Sequence, residues 1–304
     1  MDSKDILILG ASSRVAILMK PILEANPQVS ISWQTRHFQK NMSDEWIDLV
    51  VFPLVNLETS MLESSIKFKQ YKTVVCLAGV KNQDDECLSL NTEIARSALN
   101  IAERVRAERL LFFSSSAVYE YGENLSEFDN VCPQNNYGAS KLAAEKFLYE
   151  TSSSVSVLCL RVANVICADS ITARYIWEEE PTPLKLDIFS DKASITRSFI
   201  DPKALAEIII KLACEDHDLS GPINVASVET VDLIELLKMI DIKWTGVSRV
   251  DSQRQRITLA TDKLRDAISG FGIDMTLKSI ASQFYQNKLI SDKLRLIKDN
   301  FQKN

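Results

Sequence analysis

The run Ile6-Leu7-Ile8-Leu9, met at once by Gly10 and then by the helix-compatible stretch Val15 to Leu23, is the feature that most constrains this chain. Four apolar residues in succession, without alternation, read as a strand covered on both faces rather than one with a wet side. Asn26-Pro27 end the helix, and a second strand follows at Val29 to Trp33, where Val29, Ile31 and Trp33 alternate. Further apolar runs at Thr73 to Leu77, Leu110 to Phe113 and Val155 to Leu160 are separated by helical pattern, clearest at Leu90 to Val105 and Ala139 to Glu150. Such strands alternating with amphipathic helices predict an α/β fold: a doubly wound parallel sheet with helices on both faces.

From about Ala168 the rhythm breaks. Trp177 to Pro183, rich in glutamate and proline, reads as a loop, and helices are expected at Pro202 to Glu215 and Val231 to Ile240. Leu277 to Asn304 carries enough Leu, Ile and Phe for one or two amphipathic helices. The expected organisation is a sheet domain over residues 1–167 and a smaller C-terminal α/β lobe over 168–304, interleaved with the sheet.

A chain of 304 residues with 46% apolar and 25% charged side chains can bury a sizeable core. Its 41 acidic against 35 basic residues give a net charge of -6, which argues against a nucleic-acid partner bound by phosphate neutralisation. The opening Met1-Asp2-Ser3-Lys4-Asp5 is acidic where a signal peptide is basic, and no apolar run approaches the ~18 residues of a membrane span. No membrane partner and a cytoplasmic location are therefore expected. The six cysteines have no Cys-x-x-Cys spacing and read as reduced and mostly buried. His37 and His217 are the only histidines, and Glu178-Glu179-Glu180 reads as an exposed loop, so no metal site is expected.

Two segments point to chemistry. In Gly10-Ala11-Ser12-Ser13-Arg14-Val15-Ala16, between a first strand and a first helix, backbone N–H groups and a helix N-terminus would meet a dinucleotide pyrophosphate. Only Gly10 remains of three glycine positions: Ser13 stands at the middle one and Ala16 at the last. Alone, this turn fits an ordinary strand-to-helix connection as well as a phosphate cradle. The second segment is Tyr137-Gly138-Ala139-Ser140-Lys141, preceded by the strand end Ser114-Ser115-Ser116-Ala117-Val118-Tyr119. Tyrosine and lysine four apart share a helical face, where the ammonium can lower the phenol's pKa and make it a usable proton donor or acceptor. A serine hydroxyl can then hold the substrate oxygen. Chance Tyr-x-x-x-Lys spacings are common; the serine strand before this one gives it context.

These residues resemble the extended short-chain dehydrogenase/reductase superfamily, and in particular its NAD(P)-dependent nucleotide-sugar epimerase/dehydratase branch. Phe113 to Tyr119 is similar to that family's serine strand, Tyr137 to Glu145 to its catalytic helix, and Cys76-Leu77-Ala78-Gly79 to the turn beside the cofactor. Asn91 matches the asparagine that opens its fourth helix, and Leu160-Arg161-Val162-Ala163-Asn164-Val165 the segment that meets nicotinamide and substrate. Arg197 to Asp201 resembles the arginine motif that reaches a sugar-nucleotide diphosphate, and Gly221 to Ala226 the closing strand; the likeness runs over about residues 5 to 275.

The resemblance implies a Rossmann-type sheet and a site in which Ser115 is the catalytic hydroxyl, Tyr137 the acid/base and Lys141 its pKa-setting partner, also bonded to the cofactor ribose. It implies cofactor contacts from Gly10, Ser12, Ser13, Arg14, Val15, Leu77, Ala78, Gly79, Asn91 and Val162. Substrate contacts would come from Ser116, Asn164 and Arg197. Arg254 and Arg256 lie where the family often has an arginine on the substrate diphosphate, with a spacing that leaves the choice open; Arg254 is carried as the candidate. The family's dehydratases have an Asp-Glu pair after the catalytic hydroxyl, and Ser116-Ala117 here argues against dehydration. A homodimer through the helices at Leu90 to Val105 and Ala139 to Glu150 is implied as well.

Cofactor choice turns on the end of the second strand, Trp33-Gln34-Thr35-Arg36-His37. No carboxylate stands there to bind a ribose 2′-hydroxyl, and Arg36, with Arg14 assisting, offers a planar cation suited to the 2′-phosphate of NADP; NAD is the alternative, with Arg36 a solvated surface residue. The expected activity is 4-keto reduction or C4 epimerisation of a nucleotide-linked sugar. A non-catalytic NAD(P)-binding regulatory or assembly protein of the same fold is the alternative that the eroded glycine turn suggests.

Overall fold

The computed structural model describes residues 4–37, 48–58, 61–62, 65, 69–81, 85–189, 195–215, 219–249, 256–268 and 276–299. His217 and Arg254 lie outside the described residues. β1 (Lys4–Leu9) leads through Gly10 into α1 (Arg14–Glu24), β2 (Val29–Thr35) and the short β3 (Leu49–Val51). There follow β4 (Thr73–Cys76), α2 (Asp85–Arg104), β5 (Arg109–Ser115), a 3-10 turn (Ser116–Val118), β6 (Gly122–Leu125), α3 (Asn136–Glu150) and β7 (Ser156–Val162). The later chain adds β8 (Asn164–Val165), α4 (Arg174–Trp177), β9 (Leu184–Phe189), β10 (Thr196–Ile200), α5 (Pro202–Cys214), β11 (Gly221–Val225), β12 (Thr230–Asp232) and α6 (Leu233–Met239). It closes with β13 (Trp244–Arg249), β14 (Ile257–Leu259), α7 (Asp262–Ala267), α8 (Leu277–Leu289) and α9 (Ser291–Asp299).

Seven strands form one wholly parallel sheet in the order β11-β7-β5-β4-β1-β2-β3. The unalternating run in β1 supplies two cores at once. Ile6 and Ile8 join Ile17, Met19, Leu205 and Ile209 beneath α1 and α5, while Leu7 and Leu9 join Ile94, Ala98 and Leu148 beneath α2 and α3. Each such side chain, fully buried, contributes roughly 1.5–3 kcal/mol, so the central strands tolerate no polar face. The chain runs outward from β1 through β2 to β3, then returns to the other side of β1 at β4. That reversal opens a crevice at the carboxyl ends of β1 and β4.

The chain beyond residue 168 contributes to both layers. β11 completes the large sheet beside β7, whereas β12, β10, β14 and β6 form a second sheet to which β8 attaches through β10; β9 and β13 pair separately. Two local expectations differ. The helix expected from Val231 begins at Leu233, because Val231 pairs antiparallel with Arg197 and Asp232 caps the helix by accepting bonds from the Ile234 and Glu235 amides. Trp177, expected in a loop, ends α4 and is buried, its indole donating to the Cys167 carbonyl at 2.6 Å. No helix among the described residues is long and apolar enough to cross a membrane.

α3 starts where Asn135 caps it, its side-chain oxygen accepting from the Gly138 amide at 2.8 Å. Gly138 lies so close to the 3-10 turn that an added Cβ would run into the Ala117 carbonyl. This close approach seats Tyr137 beside the end of β5. Gly138→Ala is expected to lower stability by about 1–3 kcal/mol through overpacking, read as a lower urea midpoint at unchanged slope. An unchanged midpoint would show that α3 can slide away without cost.

Candidate active site

Gly10 adopts φ +93°, and a Cβ there would come within 2.8 Å of the Ala78 amide nitrogen, so this position requires glycine. Its N–H donates to the Gln34 side-chain oxygen at 3.0 Å, and the Ala11 N–H to the Gln34 carbonyl at 2.9 Å. Ser13 behaves differently. Its backbone is at φ -70°, ψ 146°, ordinary for any residue, and its hydroxyl caps α1 by accepting from the Ala16 amide at 3.1 Å. The side chain thus folds back onto its own helix, and the turn closes with one glycine.

The turn borders two recesses. The first, about 300 Å³, runs from Gly10, Ser12 and Ser13 past Gln34, Thr35 and Arg36 to Ala78, Gly79 and Val80. No carboxylate lines it among the described residues; Gln34 is buried, its amide donating to the Phe52 carbonyl, and Arg36 is exposed at the rim. The second recess, about 530 Å³, is lined by Ser13, Arg14, Val15, Gly79, Lys81, Ser114 to Ser116, Tyr137, Val162 to Val165 and Asp169. Because Ser13 and Gly79 border both, the recesses form one elongated cleft across the ends of β1 and β4. Its glycine cradle, helix N-terminus and two-lobed length fit a dinucleotide. Arg14 lines the second recess and not the first, and its guanidinium carbon lies 5.9 Å from the centre of the Trp177 ring. Arg14 thus lines the recess that Arg36 does not.

In the second recess Tyr137 lies beside Ser115, whose oxygen accepts from the Ala117 amide at 3.2 Å. Burial raises the Tyr137 pKa, opposed only by the neighbouring Ser115 hydroxyl. Lys141 was expected to lower it. Instead the Lys141 ammonium is turned inward, donating to the Phe113 carbonyl at 2.9 Å and lying 5.1 Å from the centre of the Phe112 ring. Burial pushes the Lys141 ammonium down to about 8, while Cys76, Cys159 and Glu145 each pull the other way. A Cβ on Gly79 would fall 2.7 Å from that ammonium, so Gly79 is the thin wall between Lys141 and the cleft.

Of the other expected site residues, Ser12, Val15, Ala78, Ser116, Val162 and Asn164 line the cleft. Leu77 is buried behind it. Asn91 lines neither recess: wholly buried, it accepts from the Val80 amide and donates to the Val80 carbonyl and the Ser140 hydroxyl, each at 2.9 Å, tying the cleft wall to α3. Arg197, on β10, also lines neither; burial lowers it to about 10. Lining residues that sequence reasoning missed are Gln34, Thr35, Lys81 and Asp169. Asp169 is buried, accepts from the Ile171 and Thr172 amides at 2.6 and 2.9 Å and from the Thr172 hydroxyl, and has its pKa raised by burial. Lys81 has its pKa lowered by burial, with Asp169 opposing. Their signals in the chain were slight: Lys81 directly follows the Leu77 to Val80 turn, and Asp169 the segment from Asn164.

A sequence model of the NAD dependent epimerase/dehydratase family matches residues 6–178. Among solved structures, a short-chain dehydrogenase/reductase superfamily protein from Agrobacterium tumefaciens with bound NAD is similar at 16% identity and a TM-score of 0.74, over 95% of this chain and 99% of that one. UDP-glucuronic acid 4-epimerase from Bacillus cereus, in complex with UDP-glucuronic acid and NAD, is similar at 15% identity and a TM-score of 0.73, over 95% and 99%. UDP-glucose-4-epimerase from Stenotrophomonas maltophila, with NAD and formylated UDP-arabinopyranose, is similar at 13% identity and a TM-score of 0.77, over 95% and 99%. At these identities the likeness is one of fold. No curated protein matches the chain at a significant level.

The buried Lys141 makes a pH-dependent contribution to stability. It titrates near 10.5 when unfolded and at about 8 in the fold, so its charge is destabilising below about pH 8 and that cost fades as pH rises toward 10.5. The free energy of unfolding of the wild type, relative to Lys141→Met, is expected to rise by up to about 3 kcal/mol across that window. A flat difference in denaturant titrations would show that Lys141 is not buried as a cation.

Proposed function

The chain belongs to the NAD-dependent epimerase/dehydratase family, and from that premise we propose that it is an enzyme acting with a nicotinamide cofactor on a nucleotide-linked sugar, by 4-keto reduction or C4 epimerisation. The observation that carries this reading is the Tyr137–Ser115 hydroxyl pair at the floor of a cleft whose other end is the Gly10 turn. The nicotinamide, when bound, supplies or accepts hydride at carbon. This chain's residues do the rest. Ser115 holds the reacting oxygen and Tyr137 gives or takes its proton, two hydroxyl side chains that line the same recess. The N-terminus of α1, with Ser12 and Ser13, receives the pyrophosphate. Ser116 and Asn164 orient the sugar; Arg197, which lines neither recess, is left to meet only a diphosphate that extends past them.

Tyr137→Phe is expected to lower turnover at least 100-fold, the size of a lost general acid/base, while leaving the melting temperature and cofactor affinity nearly unchanged. Near wild-type rates in this variant would remove Tyr137 from the chemistry. Cofactor binding without turnover, by the wild type against a broad panel of nucleotide sugars, would favour a binding protein that does no chemistry.

For the cofactor, the chain's own residues favour NADP, although the structural neighbours named above carry NAD. Arg36 stands at the rim of the first recess, where no described carboxylate competes for the ribose. Because Arg36 is exposed, its contact with a 2′-phosphate is screened and is expected to favour NADP by roughly tenfold. The ratio of the two affinities, compared between wild type and Arg36→Ala by nicotinamide fluorescence, measures this. A wild-type preference for NAD, or a ratio that Arg36→Ala leaves untouched, would make Arg36 a surface charge only and weaken the reductase reading.

A further inference from the structure

Behind the cleft floor lies a buried polar network that the proposed chemistry does not use. Glu145 is 1% exposed and sits one helical turn beyond Lys141 on α3. Arg161, 5% exposed on β7, grips it with Nε at 3.2 and 3.3 Å from the two carboxylate oxygens and Nη2 at 2.8 Å from one of them. The Ser114 hydroxyl, from the residue before Ser115, donates to the same carboxylate. Arg161 Nη1 donates onward to the Tyr119 hydroxyl at 2.9 Å, which in turn donates to Asn224 at 2.8 Å. Burial alone would lower the Arg161 pKa, but its bonds to Glu145 outweigh that and raise it.

A buried pair of this kind contributes little net stability compared with well-packed apolar residues, so its placement calls for another account. We propose that Glu145, clamped by Arg161 and Ser114, is the positioning residue of the site, holding the Ser115 end of β5 and the Lys141 face of α3 in one register and serving as the counter-charge for the Lys141 ammonium. The inference rests on the catalytic reading only for the purpose of that register; the electrostatic link between Glu145 and Lys141 starts from their placement one turn apart on α3, both side chains buried. Lys141 faces Cys76 from β4 and Cys159 from β7, both thiols whose pKa burial pushes up, and Glu145 on its own helix. Neutral thiols cannot balance an ammonium. Among the described residues Glu145 is therefore the carboxylate placed to favour the charged form of Lys141 in an interior that opposes it.

The test reads Lys141 directly, by following its 13Cε resonance with pH in lysine-labelled protein, the signal being assigned by its loss in Lys141→Arg. Wild type should titrate at about 8. Glu145→Gln keeps the shape but removes the charge and leaves Arg161 unbalanced nearby, so the midpoint is expected to fall by at least about half a pH unit. Should Glu145→Gln fail to fold, Glu145→Asp keeps the charge but draws it away, and a smaller fall is expected. An unmoved midpoint in a folded Glu145→Gln, or in Glu145→Asp where that is the folded variant, overturns the proposal. Ser114→Ala supplies the second arm: it leaves the charge in place, so the Lys141 midpoint should hold while kcat drops several-fold at constant KM. An unchanged kcat there refutes the register role. Absence of any turnover in wild type would count against the proposed function, and the titration would still decide the electrostatic link.

Discussion

The parallel pairing of β1 with β2 on one side and β4 on the other is the constraint from which the remaining architecture follows. A strand flanked by parallel neighbours is covered on both faces, which calls for helices above and below and for the continuous apolar run Ile6 to Leu9 in β1. Because the chain leaves β1 in one direction and comes back in the other, the loops after β1 and β4 diverge, and a crevice opens where no side chain had to be removed to make it. Gly10 and Gly79 sit at the two lips of that crevice. The first is required by its backbone angle, and at the second an added Cβ would meet the movable end of the Lys141 side chain.

Polar groups at the floor of the cleft are organised from behind. Asn91 binds the Val80 backbone to Ser140, and Ser140 donates to the Tyr137 carbonyl at 2.7 Å, so the wall of the cleft and the first turn of α3 are one hydrogen-bonded unit. The Glu145 and Arg161 pair extends this through Tyr119 to Asn224, whose amide also donates to the Leu125 and Ala260 carbonyls of the second sheet region at 2.8 and 3.0 Å. Fully satisfied networks of this type select one geometry among several of similar apolar content, and their value lies in rigidity.

Much of this was legible in the chain, for reasons that differ by element. Strands β1, β4, β5 and β7 declare themselves because doubly buried strands are continuous apolar runs. β6, β8, β9, β13 and β14 do not: Gly122–Leu125 and Asn164–Val165 are too short or too polar to carry a period, and they exist because distant partners supply their hydrogen bonds. Ser115, Tyr137 and Lys141 could be singled out because local spacing places them. Gln34, Lys81 and Asp169 could not, since the end of β2 and the segments after β4 and β8 deliver them separately to one cleft. The direction of the Tyr137 pKa was out of reach too, because it depends on how deeply the ring is enclosed and on where the Lys141 amine turns, and neither is encoded in a four-residue interval.

Ser13 carries a consequence beyond the site. A turn with glycine at each of its three customary positions must be drawn from an unfolded chain that explores both halves of the Ramachandran map at each of them, and folding gives up that freedom. At φ -70° the chain needs none of it at position 13, and serine there narrows the unfolded ensemble while its hydroxyl stands in for a missing amide partner. Replacing glycine where the native angles allow it stabilises a protein by about 0.4–1 kcal/mol through the unfolded state alone. The turn that looks degraded as a fingerprint is, as a piece of polymer, the more strongly preorganised one.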